Sequence, residues 1–248
     1  MAASSRRRLA EASRAHRFRA PCYSGAVITV HHLNNSRSQR VLWLLEELEL
    51  PYELVPYERD PRTLLAPKEL EAIHPLGKSP VIVDGDATIA ESGAILEYLV
   101  ETHGKGRLVP PAGTQAHRDY RYFMHYAEGS LMPFLLLKLV FHRVRTAKVP
   151  FFVRPIARKI ADKVSGDFVD PNLRRHLAFL AARLEKHRWF AGDELTAADI
   201  QMSYPIEGAV ARAADLGASP KLAEFVARCK ERPAFQRALA RGGPYEVG

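Results

Sequence analysis

The sequence predicts two domains, a small α/β domain followed by an all-helical domain. Stretches rich in β-branched residues alternate with helix-like stretches in the first part of the chain. A turn-rich segment with several glycines and prolines, 104–113, then interrupts this alternation. All of the sequence after it has helical periodicity. We therefore place the first domain at 26–106 and the helical domain at 114–248.

The elements of the first domain follow from local signals. Pro51 is expected to end the first helix, because the residue before a proline is pushed out of the α region. Asp84-Gly85-Asp86 has the Asp-Gly signal of a tight hairpin turn. The predicted strands are 26–31, 52–57, 80–84 and 87–90, and the predicted helices are 39–50, 68–73 and 91–102. Their order is βαβ followed by αββα.

The second domain is predicted to contain helices only. They are expected at about 115–146, 151–166, 172–187, 197–214 and 219–240, with a break at Pro233.

Composition limits the classes of function. The net charge is +8, but residues 1–25 hold six arginines and one acid and so carry +5 of it. The remaining +3, spread over 223 residues, does not resemble a phosphate-tracking surface, so nucleic acid is not an expected partner. We expect residues 1–25 to be a disordered basic extension or upstream sequence from an over-long start. A transit peptide is the alternative, because the segment is rich in arginine and serine and poor in acids.

Apolar runs and cysteines give the expected compartment. No run approaches the roughly 18 apolar residues of a membrane-spanning helix, so no membrane span is expected. Cys22 and Cys229 form neither a CxxC motif nor a metal-ligand spacing, and no metal site is expected. Without a disulfide framework, the reducing cytoplasm is the expected location.

A candidate peptide site surrounds the predicted hairpin. Ser79-Pro80 lies where a cis peptide bond would form the turn, leaving the backbone groups of Ser79 directed outward to pair with an extended peptide. Glu91-Ser92 begins a helix, whose free N–H groups and dipole favour a carboxylate. Lys78 adds a positive charge. Together these residues suit a small, extended, doubly anionic peptide, although Ser92 alone would be an ordinary N-cap and Lys78 alone a solvated loop residue.

The polar junction between the first strand and helix, NNSRSQR at 34–40, allows two interpretations. Ser36-x-x-Gln39 fits a capping box, in which the junction only begins the helix. Alternatively, Asn35, Ser36 and Ser38 are side-chain donors for a ligand at the helix N-terminus.

These motifs together resemble the glutathione S-transferase family. The order βαβ, then GKSP, then DGxxIAESxAILxYL resembles its N-terminal, thioredoxin-like domain. WFAGDELTAADI resembles its GDxLTxADI motif, with Thr196 and Asp199 as N-cap and N3 of a helix. The resemblance spans about 26–240, and NNSRSQRVLWLLEEL and YAEGSLMPFLL are similar to a bacterial and fungal subgroup.

The resemblance implies a role for each site residue. Ser79 would pair through its backbone with the cysteinyl unit of glutathione, Glu91 and Ser92 would hold the γ-glutamyl end, and Lys78 would meet the glycyl carboxylate, with His74 a weaker neighbour. In the family a Ser, Tyr or Cys at the end of the first strand faces the sulfur. The order of preference here is Ser36, then Asn35, then Ser38, and a backbone N–H or water could also serve.

The expected activity is conjugation of glutathione, as co-substrate, to a small hydrophobic electrophile. The junction has no cysteine, which disfavours disulfide exchange through the protein itself. A glutathione-dependent peroxidase and a non-catalytic binding module are the alternatives, and a homodimer is implied by the resemblance. Candidate walls for the electrophile, most of them expected in the core, are Tyr120, Tyr122, Phe123, Tyr126, Met132, Phe134 and Phe141.

Overall fold

The computed structural model describes residues 27–63, 65–213, 216–217 and 219–245. The predicted disordered extension at 1–25, and Cys22 within it, lie outside these residues.

A four-stranded mixed sheet forms the centre of the first domain. The strands are Ile28–Leu33 (β1), Tyr52–Tyr57 (β2), Val81–Asp84 (β3) and Ala87–Ala90 (β4), in the order β2-β1-β3-β4. β1 pairs parallel with β2 and antiparallel with β3, and β3 pairs antiparallel with β4. The predicted fold class is confirmed, a thioredoxin-like domain followed by a helical domain.

Helices cover the sheet and build the second domain. They are Ser38–Glu47 (α1), Ser92–Thr102 (α2), Gln115–Tyr126 (α3), Met132–Thr146 (α4), Arg154–Val164 (α5), Asp170–Lys186 (α6), Ala197–Arg212 (α7), Pro220–Lys230 (α8) and Pro233–Gly242 (α9). Single π-helical turns at Ala127–Leu131 and Ser165–Val169 join α3 to α4 and α5 to α6. In the part of the chain that the structure describes, no helix is long and apolar enough to cross a membrane.

Two predicted helices of the first domain differ from the observed ones in length or type, and the helix predicted at about 115–146 is divided by the π-helical turn Ala127–Leu131. α1 ends at Glu47 rather than residue 50, because Leu48 is its C-cap and Glu49 adopts a left-handed φ of 55° before Pro51 is reached. The short helix predicted at 68–73 is the 3-10 helix Lys68–Ala72.

The two domains share a continuous apolar core around α1. Trp43 of α1 is fully buried and meets Phe235 of α9 edge-to-face, with ring centroids 5.2 Å apart. α9, the last helix among the described residues, therefore packs against the first domain. This contact positions α1, whose N-terminus lies at the candidate site.

The N-terminus of α7 confirms the predicted capping motif. Thr196 is the N-cap and Asp199 the N3 residue. The buried Asp199 carboxylate accepts from Phe190 N at 2.7 Å and from the backbone N and side-chain hydroxyl of Thr196, both at 2.8 Å. Burial nevertheless raises the pKa of Asp199 to about 6.

Asp199→Asn is expected to lower the free energy of unfolding at pH 7 by about 2 kcal/mol, because an amide offers one acceptor oxygen to three donors. The folded-state pKa lies above the ordinary value for an aspartic acid, so the folded state binds the proton more tightly than the unfolded chain does. The stability that this protonation adds is therefore present in acid and is lost as the pH rises through about 6, whereas the hydrogen bonds from Phe190 N and Thr196 remain at pH 7. When the free energy of unfolding is measured with denaturant at several pH values, Asp199→Asn should remove this decrease of stability with rising pH.

Asp86→Asn, in the exposed hairpin turn, is the control. It makes the same chemical change and should alter neither the stability nor its pH dependence. An Asp199→Asn protein as stable as the parent would show that the capping contacts do not stabilise the fold.

Candidate functional site

Two adjoining cavities lie where the carboxyl end of β1, the N-terminus of α1 and the helical domain meet. One has a volume of about 100 Å³ and the other about 210 Å³. Arg37 and Ser79 line both of them. A ligand in one cavity would therefore be next to a ligand in the other.

The smaller cavity contains all five residues predicted to bind the peptide. Its lining includes Lys78, Ser79, Pro80, Glu91 and Ser92, together with His74 and Glu128. The Ser79-Pro80 bond is cis, as the sequence predicted.

Ser79 also fixes its loop to the central strand. Its hydroxyl donates to the His31 carbonyl at 2.8 Å and accepts from Leu33 N at 3.2 Å. The loop before β3 is thereby held against the end of β1, the strand that leads into the polar junction.

The N-terminus of α2 faces the same cavity. Glu91 is the N-cap and has φ 72°, a left-handed conformation that is costly for a residue with a Cβ and is often found at binding sites. Ser92, only 4% exposed, is the first residue of the helix. The helix dipole at this position favours an anionic group.

The three candidate hydrogen-bond donors to the thiol lie in different environments. Ser36 is 4% exposed and lines the larger cavity. Asn35 is exposed and has φ 48°, and its carbonyl accepts from Arg59 at 3.3 Å. Ser38 is fully buried beneath Ser36. Of the three, only Ser36 lines either of the two cavities.

Behind Ser36 runs a chain of hydrogen bonds that ends at α9. The Ser36 and Ser38 hydroxyl oxygens are 2.7 Å apart, and Ser38 N donates to Ser36 Oγ at 3.2 Å. Ser38 Oγ lies 2.8 Å from His32 Nδ1, and His32 Nε2 lies 2.9 Å from the Gly242 carbonyl oxygen. The chain thus leads from the cavity wall, through two serines, to a buried imidazole.

The fixed carbonyl determines the direction of every hydrogen in this chain. Gly242 O can only accept, so His32 Nε2 carries a hydrogen. Burial lowers the pKa of His32 and the Gly242 contact only partly opposes it, which favours a neutral ring whose Nδ1 accepts. Ser38 Oγ therefore donates to His32 Nδ1 at 2.8 Å rather than to the Leu33 carbonyl, which lies farther away at 3.3 Å, and Ser36 donates to Ser38. The lone pair left on Ser36 Oγ can accept from a ligand.

The capping-box interpretation of the junction is wrong. Arg37, rather than Ser36, is the N-cap of α1, and Ser36 Oγ accepts from Ser38 N rather than from the Gln39 amide that a capping box requires. The amide atoms of Gln39 are buried without a hydrogen-bond partner, so Gln39 does not complete the reciprocal bond that a capping box needs.

Sequence reasoning missed an ion cluster at the domain boundary. The fully buried Arg40 donates to the Gln201 carbonyl at 2.7 Å and to Glu128 at 2.6 Å. Arg37 forms a 3.4 Å ion pair with the same carboxylate. Both arginines lie in NNSRSQR, and Glu128 in YAEGS. The motifs contained these residues, but nothing local showed that they would meet.

The larger cavity has one apolar and one polar side. Of the seven predicted wall residues only Met132 lines it, because Tyr120, Phe123 and Tyr126 are buried in the core. The apolar side is Met132, Leu135, Leu136 and Leu139 of α4. The polar side includes Arg37, Arg59, Tyr204 and Arg212.

The fold and the paired cavities define a two-domain protein of the thioredoxin-like class. Comparison with known proteins agrees with this. The model of the glutathione S-transferase N-terminal domain matches residues 25–101, and that of the C-terminal domain matches 144–233.

Full-length relatives show the same similarity. The chain is 35% identical to glutathione S-transferase 1 of Saccharomyces cerevisiae, over 75% of this chain and 82% of that protein. It is 38% identical to glutathione S-transferase 3 of Schizosaccharomyces pombe, over 73% of each chain. The crystal structure of a glutathione S-transferase from Actinobacillus pleuropneumoniae superposes with a TM-score of 0.72 at 28% identity, over 89% of this chain and 95% of that one. The chain belongs to the glutathione S-transferase family.

Proposed function

We propose that this protein is a glutathione transferase that conjugates the thiolate of glutathione to small hydrophobic electrophiles. The observation that carries the proposal is the meeting of two unlike cavities at Ser36, Arg37 and Ser79. One cavity has the charges of a peptide site, and the other has an apolar wall.

The smaller cavity suits both ends of glutathione. Glu91 and Glu128 would bind the γ-glutamyl amine, and Ser92 at the N-terminus of α2 would bind its carboxylate. Lys78 would pair with the glycyl carboxylate, and the backbone of Ser79 would bind the cysteinyl unit between them. This arrangement directs the sulfur towards the larger cavity, where Ser36 lies.

The serine chain provides a path for the thiol proton. The thiol would donate its proton to Ser36 Oγ while Ser36 passes its own proton to Ser38, and Ser38 passes its proton to His32 Nδ1. The resulting imidazolium donates to both Ser38 and Gly242 O, and the Ser36 hydroxyl now donates to the thiolate. His32 is therefore a positioning residue that acts on the sulfur through two serines.

The transfer itself requires only the thiolate and the electrophile. A sulfur lone pair forms the new C–S bond, and the leaving group departs with its bonding electrons. The proton then returns from His32 through Ser38 and Ser36 to water in the cavity. The leucines of α4 would hold the apolar part of the electrophile, while Arg37, Arg59, Arg212 and Tyr204 favour an acceptor-rich group, such as a nitro or carbonyl group, at its other end.

The sequence resemblance implies a homodimer and the cysteine content favours the cytoplasm, and both remain predictions.

Glutathione is expected to bind, and Ser92→Ala and Lys78→Ala should each weaken binding about tenfold, since a hydrogen bond to a charged group contributes about 1.5–3 kcal/mol. Calorimetry measures the affinity. Conjugation of a chloronitroaromatic and reduction of an organic hydroperoxide should then be compared.

The control is Lys186→Ala, which removes an exposed lysine from the end of α6 and should leave the affinity unchanged. No binding at millimolar glutathione would refute the proposal. Binding followed by peroxide reduction alone would favour the peroxidase, and binding without either activity would favour a binding module.

Ser36→Ala and His32→Gln are each expected to raise the pKa of bound glutathione towards the free thiol value of about 8.5, with the affinity for the protonated peptide, measured at about pH 5, unchanged. The first variant removes the hydroxyl that faces the sulfur. The second retains an N–H for Gly242 O but has no basic nitrogen to receive the proton. Titration of the thiolate absorbance of the bound peptide gives the pKa.

His31→Gln is the matched control, since His31 is also buried on β1 but bonds Tyr57 at 3.0 Å, outside the serine chain. Asn35→Gly, which tolerates the left-handed φ, tests the second candidate donor. A His32→Gln protein with an unchanged thiol pKa and reduced thermal stability would make His32 only an anchor for α9.

A further inference from the structure

Residues 143–160, where α4 connects to α5, have an exposed apolar surface that the proposed reaction does not use. We call this helical segment the hairpin tip, and it is separate from the β3–β4 hairpin. It comprises the end of α4, the connection to α5 and most of α5. Its largest exposed apolar side chains are Phe151 at 80%, Phe152 at 66%, Ile156 at 61% and Ile160 at 54%. Single exposed apolar residues are common, but four within ten positions form a patch that calls for an explanation.

α5 buries small apolar side chains and exposes large ones, which is the reverse of the usual pattern. Its small Ala161 is buried and Ala157 is half-buried, whereas the large Ile156 and Ile160 face solvent one helical turn apart. Burying the isoleucines would stabilise the fold more than burying alanines. The exposed row therefore does not serve internal packing.

Every charged residue of the hairpin tip is a cation. Residues 143–160 contain six cations and no acid. The cations are Arg143, Arg145, Lys148, Arg154, Arg158 and Lys159, and all of them are exposed.

A cavity of about 180 Å³ gathers four of these cations beside the apolar patch. Arg145, Lys148, Arg154 and Arg158 line it, and its other lining residues are uncharged. Arg145 also pairs with Asp162 at 3.0 Å, and Arg154 donates to the Val149 carbonyl at 3.1 Å. Such a group of cations suits a phosphate or carboxylate.

We propose that the hairpin tip docks on an anionic phospholipid membrane, with Phe151, Phe152, Ile156 and Ile160 entering the interface and the cations bound to headgroup phosphates. A basic amphipathic helix lies in the plane of such an interface with its apolar side chains inserted, and Phe151 and Phe152 lie just before the basic helix α5.

Charge argues against two other occupants. In a symmetric pair of copies through this patch, six cations would face six cations, and the neighbouring Asp162 already pairs with Arg145. A nucleic acid would satisfy the cations and could stack on the phenylalanines, but the aliphatic Ile156 and Ile160 offer no stacking surface. An anionic membrane would both neutralise the cations and bury the aliphatic side chains.

The test is co-sedimentation of the full chain with vesicles of phosphatidylcholine, with and without phosphatidylserine. The protein should bind the anionic vesicles and be released by salt. Phe151→Ser with Phe152→Ser, and separately Arg154→Glu with Arg158→Glu, should each reduce the partition coefficient at least tenfold. All proteins compared contain residues 1–25, so any contribution of that segment cancels.

Leu65→Ser and the pair Arg174→Glu with Arg175→Glu are the controls, since they make the same changes at other exposed positions and should bind vesicles like the parent. Thermal unfolding verifies that each variant folds. Parent-like vesicle binding by the phenylalanine variant would overturn the proposal. So would loss of self-association, or of binding to a DNA oligonucleotide, in that variant without an effect on vesicles. None of these outcomes depends on transferase activity.

Discussion

The contact on which the site most depends is that of Arg40 with Glu128 and the Gln201 carbonyl. Arg40 belongs to α1 of the first domain, and both acceptors belong to the helical domain. Since its side chain is only 2% exposed, the guanidinium needs these partners, and removing the carboxylate would leave a buried charge uncompensated. The contact therefore fixes the helical domain relative to the polar junction. Both cavities lie at this boundary and depend on the same alignment.

The second constraint is the carbonyl of Gly242, which determines the hydrogen-bond direction in the junction. It fixes the tautomer of His32, and through Ser38 it sets the orientation of the Ser36 hydroxyl. A serine hydroxyl is a weak acid, so its use as a donor to a thiolate depends on what its own oxygen and hydrogen already bind. In this protein those partners end at a buried imidazole, which makes the C-terminal helix part of the proposed chemistry.

Local signals in the sequence predicted much of the fold. The Asp84-Gly85 turn, the cis Ser79-Pro80 bond and the Thr196–Asp199 cap each depend on residues close in sequence, and all three are present. The five peptide-site residues could be grouped because the resemblance supplied the topology. The links from His32 to Gly242 and from Arg40 to Glu128 could not be predicted, because they join residues 210 and 88 positions apart. The capping-box interpretation of Ser36 was wrong because the N-cap of α1 is one residue later, at Arg37.

The central claim is that Ser36 faces the sulfur of a glutathione molecule bound between Lys78 and Ser92. A crystal structure of the protein with glutathione tests it most directly. We expect the sulfur within hydrogen-bond distance of Ser36 Oγ, with the γ-glutamyl end at Glu91 and Ser92. A peptide bound in this cleft with its sulfur turned away from Ser36, towards Asn35 or a backbone N–H, would contradict the proposed serine chain. A peptide bound elsewhere would contradict the site itself.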